Sequence, residues 1–529
     1  MTLLDTYLVI LAVASFANGQ FCEHQWEGKF ADHKVDGVPY LQAVDNVAPP
    51  PLEIRPLIVT GPSDNRVDLI FLGDGYTEAE KEKFFSDALF LAENVTDGQT
   101  FNDVAPLMNW WAGFSPSAES GVGVGGQPLD TVYGLYRDGT ELRGVYYDKP
   151  EVARAACQST DACDYPILLG NDPYYGGLGG SFTVITSSTV NGPAILRHEL
   201  GHSIINVGEE YDGATGYFGV NSARTTSSVP WTQWYSEPET EPRVQRSNMP
   251  IQAYTWSLLN TTTAYSSTFT SAGTYDNYLV QFSISGVPES SDLLVQLDGV
   301  DLKWEVFQGI ELDRYIYNLP FNASLAPGEH RLTFTLLNPD REGTAQLCNL
   351  EVLEYGDENE RFAPELGYYG LYPTYSDRNG TTYRPTNNDC LMRWTYTVDF
   401  CSACIEGLWW ALLRPLSLID QVDQVAQASG VTNITLELLP VAQFRDVPRP
   451  SEAYTIEWFN AADSSPLSQW TNQTSALISQ SIAEVDVVVR FWTAQVKIDR
   501  DGVLVQEERI AVKRCGTETS YPRRSLVEN

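Results

Sequence analysis

The run His198-Glu199-Leu200-Gly201-His202 is the stretch of this chain whose residue types and spacing speak most directly of chemistry. On a helix, residues four apart share a face, so both imidazoles can reach one metal ion, and zinc is the common occupant of such a pair. The glutamate between them is placed to act on a metal-bound water as a general base. The chain has only 5 histidines, at 24, 33, 198, 202 and 330. Two of them in this arrangement argue against a helix that merely carries unrelated surface histidines.

A metal that activates water needs a third protein ligand and an open position. The chain continues Ser-Ile-Ile-Asn-Val-Gly-Glu-Glu-Tyr-Asp, with no histidine near. A helix running on to Glu209 would carry that carboxylate roughly 10 Å past His202, out of reach of the ion. Gly208 offers a way back, because glycine adopts the left-handed conformation that ends a helix and reverses the chain. Glu209 is therefore expected as third ligand, with Glu210 as its rival. The plainer alternative makes both solvated acids beyond a helix cap.

These residues need a frame. Asn191 or Gly192 can cap the helix, and Pro193 suits its first turn. Leu196, Leu200, Ile204 and Val207 form an apolar stripe, with the histidines nearly opposite, so one face is expected in a core and the other at a cleft. Ser181–Thr186 alternates and is β-branched, as in a strand. A strand beside a metal-binding helix can hold an extended peptide at its edge. Asn171 and the glycine loop 176–180 are candidates to line it.

Farther out, Val67–Leu72 reads as a strand, and Thr77 with Glu80 as a capping box that opens a helix. Between 268 and 353 the texture changes to short alternating runs: Tyr278–Ile284, Leu293–Leu297, Arg331–Leu336 and Leu350–Leu353. That spacing predicts a β-sandwich. Asn433–Leu439, Tyr454–Phe459, Val485–Trp492, Gln495–Ile498 and Ile510–Val512 predict a second one, immunoglobulin-like or fibronectin-like.

Further motifs carry a resemblance. His198 to Tyr211, Val67 to Thr77, Tyr175 to Gly180, Tyr383-Arg384-Pro385, Cys390-Leu391-Met392 and Phe400 to Cys404 resemble segments of the M64 metallopeptidases, the IgA-peptidase family. Glu209 stands where that family usually has Asp. The resemblance covers residues about 50–255 and 360–415. It implies an α+β fold: a zincin- or metzincin-like catalytic domain with an active-site helix and mixed sheet, interrupted by one β-sandwich and followed by another. The expected organisation is a signal peptide at 1–19, an N-terminal segment or propeptide at 20–60, a discontinuous catalytic domain at 61–260 and 360–415, an inserted sandwich at 261–359 and a C-terminal sandwich at 425–515. The implied activity is zinc-dependent hydrolysis of peptide bonds in protein substrates, with one catalytic Zn2+. His198, His202 and Glu209 or Glu210 would hold the metal, and Glu199 would be the base. Tyr383 and Arg384 are candidate donors to the negative tetrahedral oxygen. Met392 is expected either beneath the metal, as a Met-turn residue, or as plain core packing.

Composition bounds the partners. With 69 acidic and 33 basic residues the net charge is −36, which repels nucleic acid and anionic membrane. A length of 529 residues implies more than one domain. Leu8–Ala17 is a short apolar run with small residues, followed by Asn-Gly-Gln; it reads as a secretory signal cleaved near Gly19, although Asp5 and the lack of a basic residue are atypical. The C-terminus lacks the tail of a lipid-anchor signal. The 8 cysteines suit disulfides in an oxidising space. Cys157–Cys163 is expected as a local loop, and Cys390 with Cys401 or Cys404 as another; Cys401-Ser-Ala-Cys404 alternatively suggests redox chemistry or a second zinc site. Sequons at Asn94, Asn260, Asn322, Asn379, Asn433 and Asn472 predict N-linked glycans. Two rival functions are a secreted adhesive or binding glycoprotein with a non-catalytic zinc, and a zinc amidase acting on a non-peptide substrate.

Overall fold

The computed structural model describes residues 47–96, 98–238, 242–356, 362–378, 380–395, 397 and 399–514. The expected signal peptide, most of the 20–60 segment, Cys22, Cys515 and the Asn379 sequon lie outside them. The described chain is a mixed α+β protein, dominated by sheets, with few helices and no barrel.

The histidine helix leans on a six-stranded sheet. Its strands are β1 (Glu53–Ile58), β2 (Val67–Asp74), β3 (Met108–Phe114), β4 (Tyr165–Gly170), β5 (Gly177–Leu178) and β6 (Thr183–Thr186). Their order is β1-β3-β2-β4-β6-β5; β3, β2, β4 and β6 are parallel, and β1 and β5 are antiparallel edges. A parallel sheet is covered on both faces, so β2 reads Val-Asp-Leu-Ile-Phe-Leu and is buried throughout. Leu69 and Phe71 face a core with helices α1 (Lys81–Val95) and α3 (Gly192–Ile204). Ile70 and Leu72 face the other way, against Ala153 and Ala156 of α2 (Pro150–Gln158). Thr77 and Glu80 make the expected capping box on the 3-10 turn that leads into α1, the Thr77 N–H and hydroxyl both donating to Glu80 (3.0 and 2.8 Å).

Strands from Ser247 to Tyr355 make two further antiparallel sheets, of five and four strands. Their facing sides share one apolar core that includes Phe282, Val295, Phe334 and Val352. Pairing begins at Ser247–Ala253, which lies against Gln346–Tyr355. After this excursion the chain returns through the hairpin Tyr372–Tyr375 and Thr381–Arg384 to helix α4 (Ser402–Leu413).

From Ile419 to Ala511 come sheets of three and four strands. Their inner residues, such as Ile434, Trp458 and Val487, join the same continuous core as α4 and α3. Trp409 and Leu412 of α4 are fully buried between the two parts; each such side chain stabilises by roughly 1.5–3 kcal/mol on leaving water. Arg66 and Asp420 close the seam with an ion pair at 2.7 Å, both side chains almost wholly buried.

Two sequence expectations fail here. Gln495–Ile498 is not a strand. It is a loop fastened to α4: Trp409 Nε1 donates to Gln495, and the backbone N–H groups of Lys497 and Ile498 donate to the buried Glu406 carboxylate. Its alternation of apolar residues reflects packing on a helix rather than a sheet. Cys390, Cys401 and Cys404 also form no disulfide, whereas Cys157 and Cys163 do. Among the described residues no helix is long and apolar enough to cross a bilayer.

Candidate metal centre

Helix α3 starts at Gly192, with Pro193 in its first turn. Asn191 precedes it but leaves the cap unmade: its amide donates instead to Asp313 (2.8 Å) and to the Arg314 carbonyl (2.9 Å), which ties the helix start to the inserted sheets. The helix is enclosed on nearly every side rather than half open, with His198 and Glu199 buried alongside Leu196 and Leu200. Thr183 and Ser203 share a hydrogen bond of 2.7 Å that fixes α3 on β6.

The helix ends at Ile204, whose successor is extended (φ −100°, ψ 149°). The reversal therefore comes earlier than the apolar stripe through Val207 suggests. Gly208 has no left-handed φ. Its role is close approach: a Cβ there would meet Phe218 N at 2.5 Å and Gly216 O at 2.6 Å. That backbone contact swings the next residues back under the histidines.

Glu209 is the residue that arrives. Its oxygens lie 3.2 Å from His198 Nε2 and 3.1 Å from His202 Nε2, and the two Nε2 atoms are 3.2 Å apart. Donors around a tetrahedral zinc, at about 2.0–2.1 Å from it, stand about 3.3–3.4 Å from one another, so this triangle fits such an ion with little adjustment. Both other ring nitrogens are oriented: His198 Nδ1 is 3.2 Å from the Leu391 carbonyl, and His202 Nδ1 is 3.2 Å from that of Val207. Carbonyl partners fix the tautomer that leaves Nε2 free to ligate. Burial works to lower the His198 pKa, but the Glu209 charge and its hydrogen bond prevail and hold it at about 9. Burial likewise works to raise Glu209, and the two imidazoles outweigh it and hold the carboxyl well below its ordinary range. Such mutual perturbation marks three groups gathered as if around a cation.

Glu199 packs against the edge of the sheet. A Cβ on Gly177 would come 3.1 Å from one of its carboxylate oxygens, and one on Gly179 would come 2.8 Å from the other. The glycine loop is thus the wall against which the carboxylate rests. It carries β5, the antiparallel edge strand next to α3. Asn171 is engaged elsewhere, its amide donating to Gly75 O (2.9 Å) and Glu80 (3.0 Å). Asp74 organises the neighbouring loop, accepting from Thr131 Oγ1, Tyr133 N and Leu135 N.

Glu210 turns the other way. Its Oε1 is 3.8 Å from Cys404 Sγ and accepts from Asn221 at 3.0 Å. Burial, and then the nearby Cys401 sulfur, raise its pKa to about 8. Tyr383 sits half-buried in the hairpin, its backbone exchanging hydrogen bonds with Ala223 (2.8 and 3.0 Å). Arg384 is buried and donates inward, to the carbonyls of Asn387 (3.0 Å) and Pro373 and to the Thr374 hydroxyl (3.3 Å). The Met392 sulfur lies under α3, 3.2 Å from where a Cβ on Gly201 would be. Tyr211, the end of the run that carries the resemblance, has its ring 6.3 Å from that of His198. Sequence reasoning missed Arg393 and Asp212, whose ion pair (2.5 Å) anchors the chain just past Glu210. Nothing in their spacing announces them, because their partners are far away in sequence.

Comparison with known proteins places this geometry. Residues 56–252 match the sequence model of the IgA Peptidase M64 family. Over that span the resemblance drawn from the motifs is borne out, and the segment that carries the histidines is similar to a peptidase family. No curated protein matches the chain. Solved structures with some likeness include a family 35 carbohydrate binding module from an environmental isolate, at 13% identity and TM-score 0.15, covering 18% of this chain and 74% of that one. Another is a family 35 carbohydrate binding module from Clostridium thermocellum, at 11% identity and TM-score 0.15, covering 20% and 90%. Likenesses of this size carry no argument about function.

Proposed function

We propose that the chain is a secreted zinc metalloendopeptidase that hydrolyses peptide bonds in protein substrates. The observation that carries the reading is the triangle of His198, His202 and Glu209, with the Glu199 carboxylate one helical step away and an edge strand alongside. Zinc, when bound there, supplies a Lewis acid that acidifies water and polarises the scissile carbonyl. The protein's own residues do the rest. His198 and His202 present Nε2 because Leu391 and Val207 hold their opposite nitrogens. Glu209 contributes the third donor, while Glu210 belongs to a different cluster. Glu199 receives the proton of the attacking water on a carboxylate oxygen and passes it to the leaving amine. The edge strand β5 ends its sheet beside the helix, and we read it as the strand along which an extended substrate would pair. Arg384 is buried and turns Nε and Nη1 to Asn387, Pro373 and Thr374, so of the two candidate donors to the developing oxyanion we retain the half-buried Tyr383.

The zincin-like reading of the catalytic part rests on the mixed sheet, its antiparallel edge strand and the helix beside it. The two pairs of antiparallel sheets at 247–355 and 419–511 are read as the inserted and C-terminal sandwiches, the second immunoglobulin-like. The Cys157–Cys163 disulfide and the exposed sequon residues Asn260, Asn322 and Asn472 favour secretion with N-linked glycans. Glu199→Gln tests the mechanism: zinc content should stay at the wild-type level while kcat on casein falls by about 10²–10⁴. A variant that keeps wild-type turnover removes Glu199 from the role.

A further inference from the structure

Directly behind Glu209 the next residue joins three thiols. Glu210, Cys390, Cys401 and Cys404 place one donor atom each within 4.8 Å of one another, and all four are buried. Cys390 Sγ and Cys401 Sγ lie 3.8 and 3.7 Å from Cys404 Sγ, and Glu210 Oε1 lies 3.8 Å from it. Sulfurs bound at about 2.3 Å to a tetrahedral zinc are about 3.8 Å apart, and a sulfur and a carboxylate oxygen on the same ion about 3.6 Å. The three edges that meet at Cys404 match those of a zinc tetrahedron. They are too long for a disulfide, and any disulfide among the three would strand the third thiol beside a buried carboxylate.

The start of α4 opposes the burial that pushes the Cys390 and Cys404 thiols up. Cys401 precedes α4 and Cys404 lies in its first turn, where the helix dipole stabilises thiolates. The Cys401 N–H donates to Cys390 Sγ at 3.4 Å. Glu210 Oε2 is buried with no hydrogen-bond partner, an acceptor that lacks its cation. We propose that Cys390, Cys401, Cys404 and Glu210 bind a second, structural zinc ion, distinct from the one proposed between the histidines.

Four protein donors close the site to water, so its role is to hold structure. It joins the Glu209-Glu210 segment to the Cys390–Arg393 turn and the start of α4, both far from it in sequence. The Glu210 N–H already donates to the Met392 carbonyl (3.0 Å), and His198 leans on the adjacent Leu391 carbonyl. The ion thus fixes both a ligand and a ligand-orienting carbonyl of the histidine site. Each thiol releases its proton on binding, and no oxidant or reductant is needed.

The test uses the whole protein, purified without reductant. Wild type should hold about two zinc ions per chain and Glu209→Ala about one. Cobalt exchanged into either protein should give a thiolate-to-metal charge-transfer band that Cys404→Ser lacks. Cys404→Ser should also weaken zinc at the histidine site by roughly 10–100-fold. If Cys404→Ser does not fold, the wild-type cobalt spectrum and disulfide mapping decide alone. A disulfide joining any two of the three cysteines, or cobalt protein without a thiolate band, overturns the proposal. Failure of the histidine site would instead show as no zinc lost in Glu209→Ala, with the thiolate band intact.

Discussion

A single methyl group tests whether Glu199 is held where its chemistry needs it. Gly179 follows the edge strand β5 and is buried against α3. In Gly179→Ala the new Cβ would lie 2.8 Å from Glu199 Oε2, 2.9 Å from His202 Cβ and 3.3 Å from the Glu199 carbonyl oxygen. Ordinary contact begins at 3.4 Å, so the carboxylate must retreat by roughly 0.6 Å, and the His202 Cβ contact forces a further small shift between the glycine loop and the helix. Misplacing a reacting group by about 1 Å costs about 10²-fold in rate. A retreat of that size predicts a fall in kcat/KM of about 10- to 100-fold, or roughly 1.4–2.7 kcal/mol of transition-state stabilisation. Neither Nε2 atom is met directly, although the methyl presses on the Cβ of His202, so the rate is compared at full zinc occupancy. Steady-state cleavage of a quenched peptide substrate, with metal analysis and a thermal midpoint on the same preparation, measures all three. Wild-type kcat/KM in a folded, zinc-replete variant would refute the reasoning, since Glu199 would then not depend on the glycine wall.

Two further outcomes follow from the electrostatics. In metal-free protein His198 keeps its proton to about 9, against an ordinary value of 6.5. A raised pKa stabilises the fold fully below about pH 6.5, and that contribution disappears as pH rises through 9; the thermal midpoint of metal-free protein should fall over this window, and zinc affinity measured by chelator competition should rise. Asp420→Asn leaves Arg66 buried and unpaired at the seam, so urea denaturation should show a loss of about 3–5 kcal/mol.

The sequence is most legible where spacing is local. His198, Glu199 and His202 sit on one turn of helix, and the strands Val67–Leu72 and Leu293–Leu297 follow from short apolar runs. Sequence reasoning favours Glu209 over Glu210 for the histidine site, and the geometry separates them: one faces imidazoles, the other thiols. The route differs from expectation, because Gly208 serves a close backbone contact 8–10 residues away in sequence rather than a left-handed turn. The three unbonded cysteines read as disulfides in sequence because cysteine count and compartment carry no information about what stands beside each thiol. Likewise Gln495–Ile498 alternates like a strand, and only Trp409 and Glu406 on a distant helix make it a loop.

The central claim is that a metal held by His198, His202 and Glu209 drives hydrolysis of peptide bonds. Its most direct test is cleavage of a proteome-derived peptide library by the zinc-loaded protein, by the same protein stripped with a chelator, and after zinc is returned. Zinc-loaded protein should cleave the library, stripping should abolish cleavage, and returned zinc should restore it. Cleavage that persists in the metal-free protein, or none in the zinc-loaded one, would contradict it.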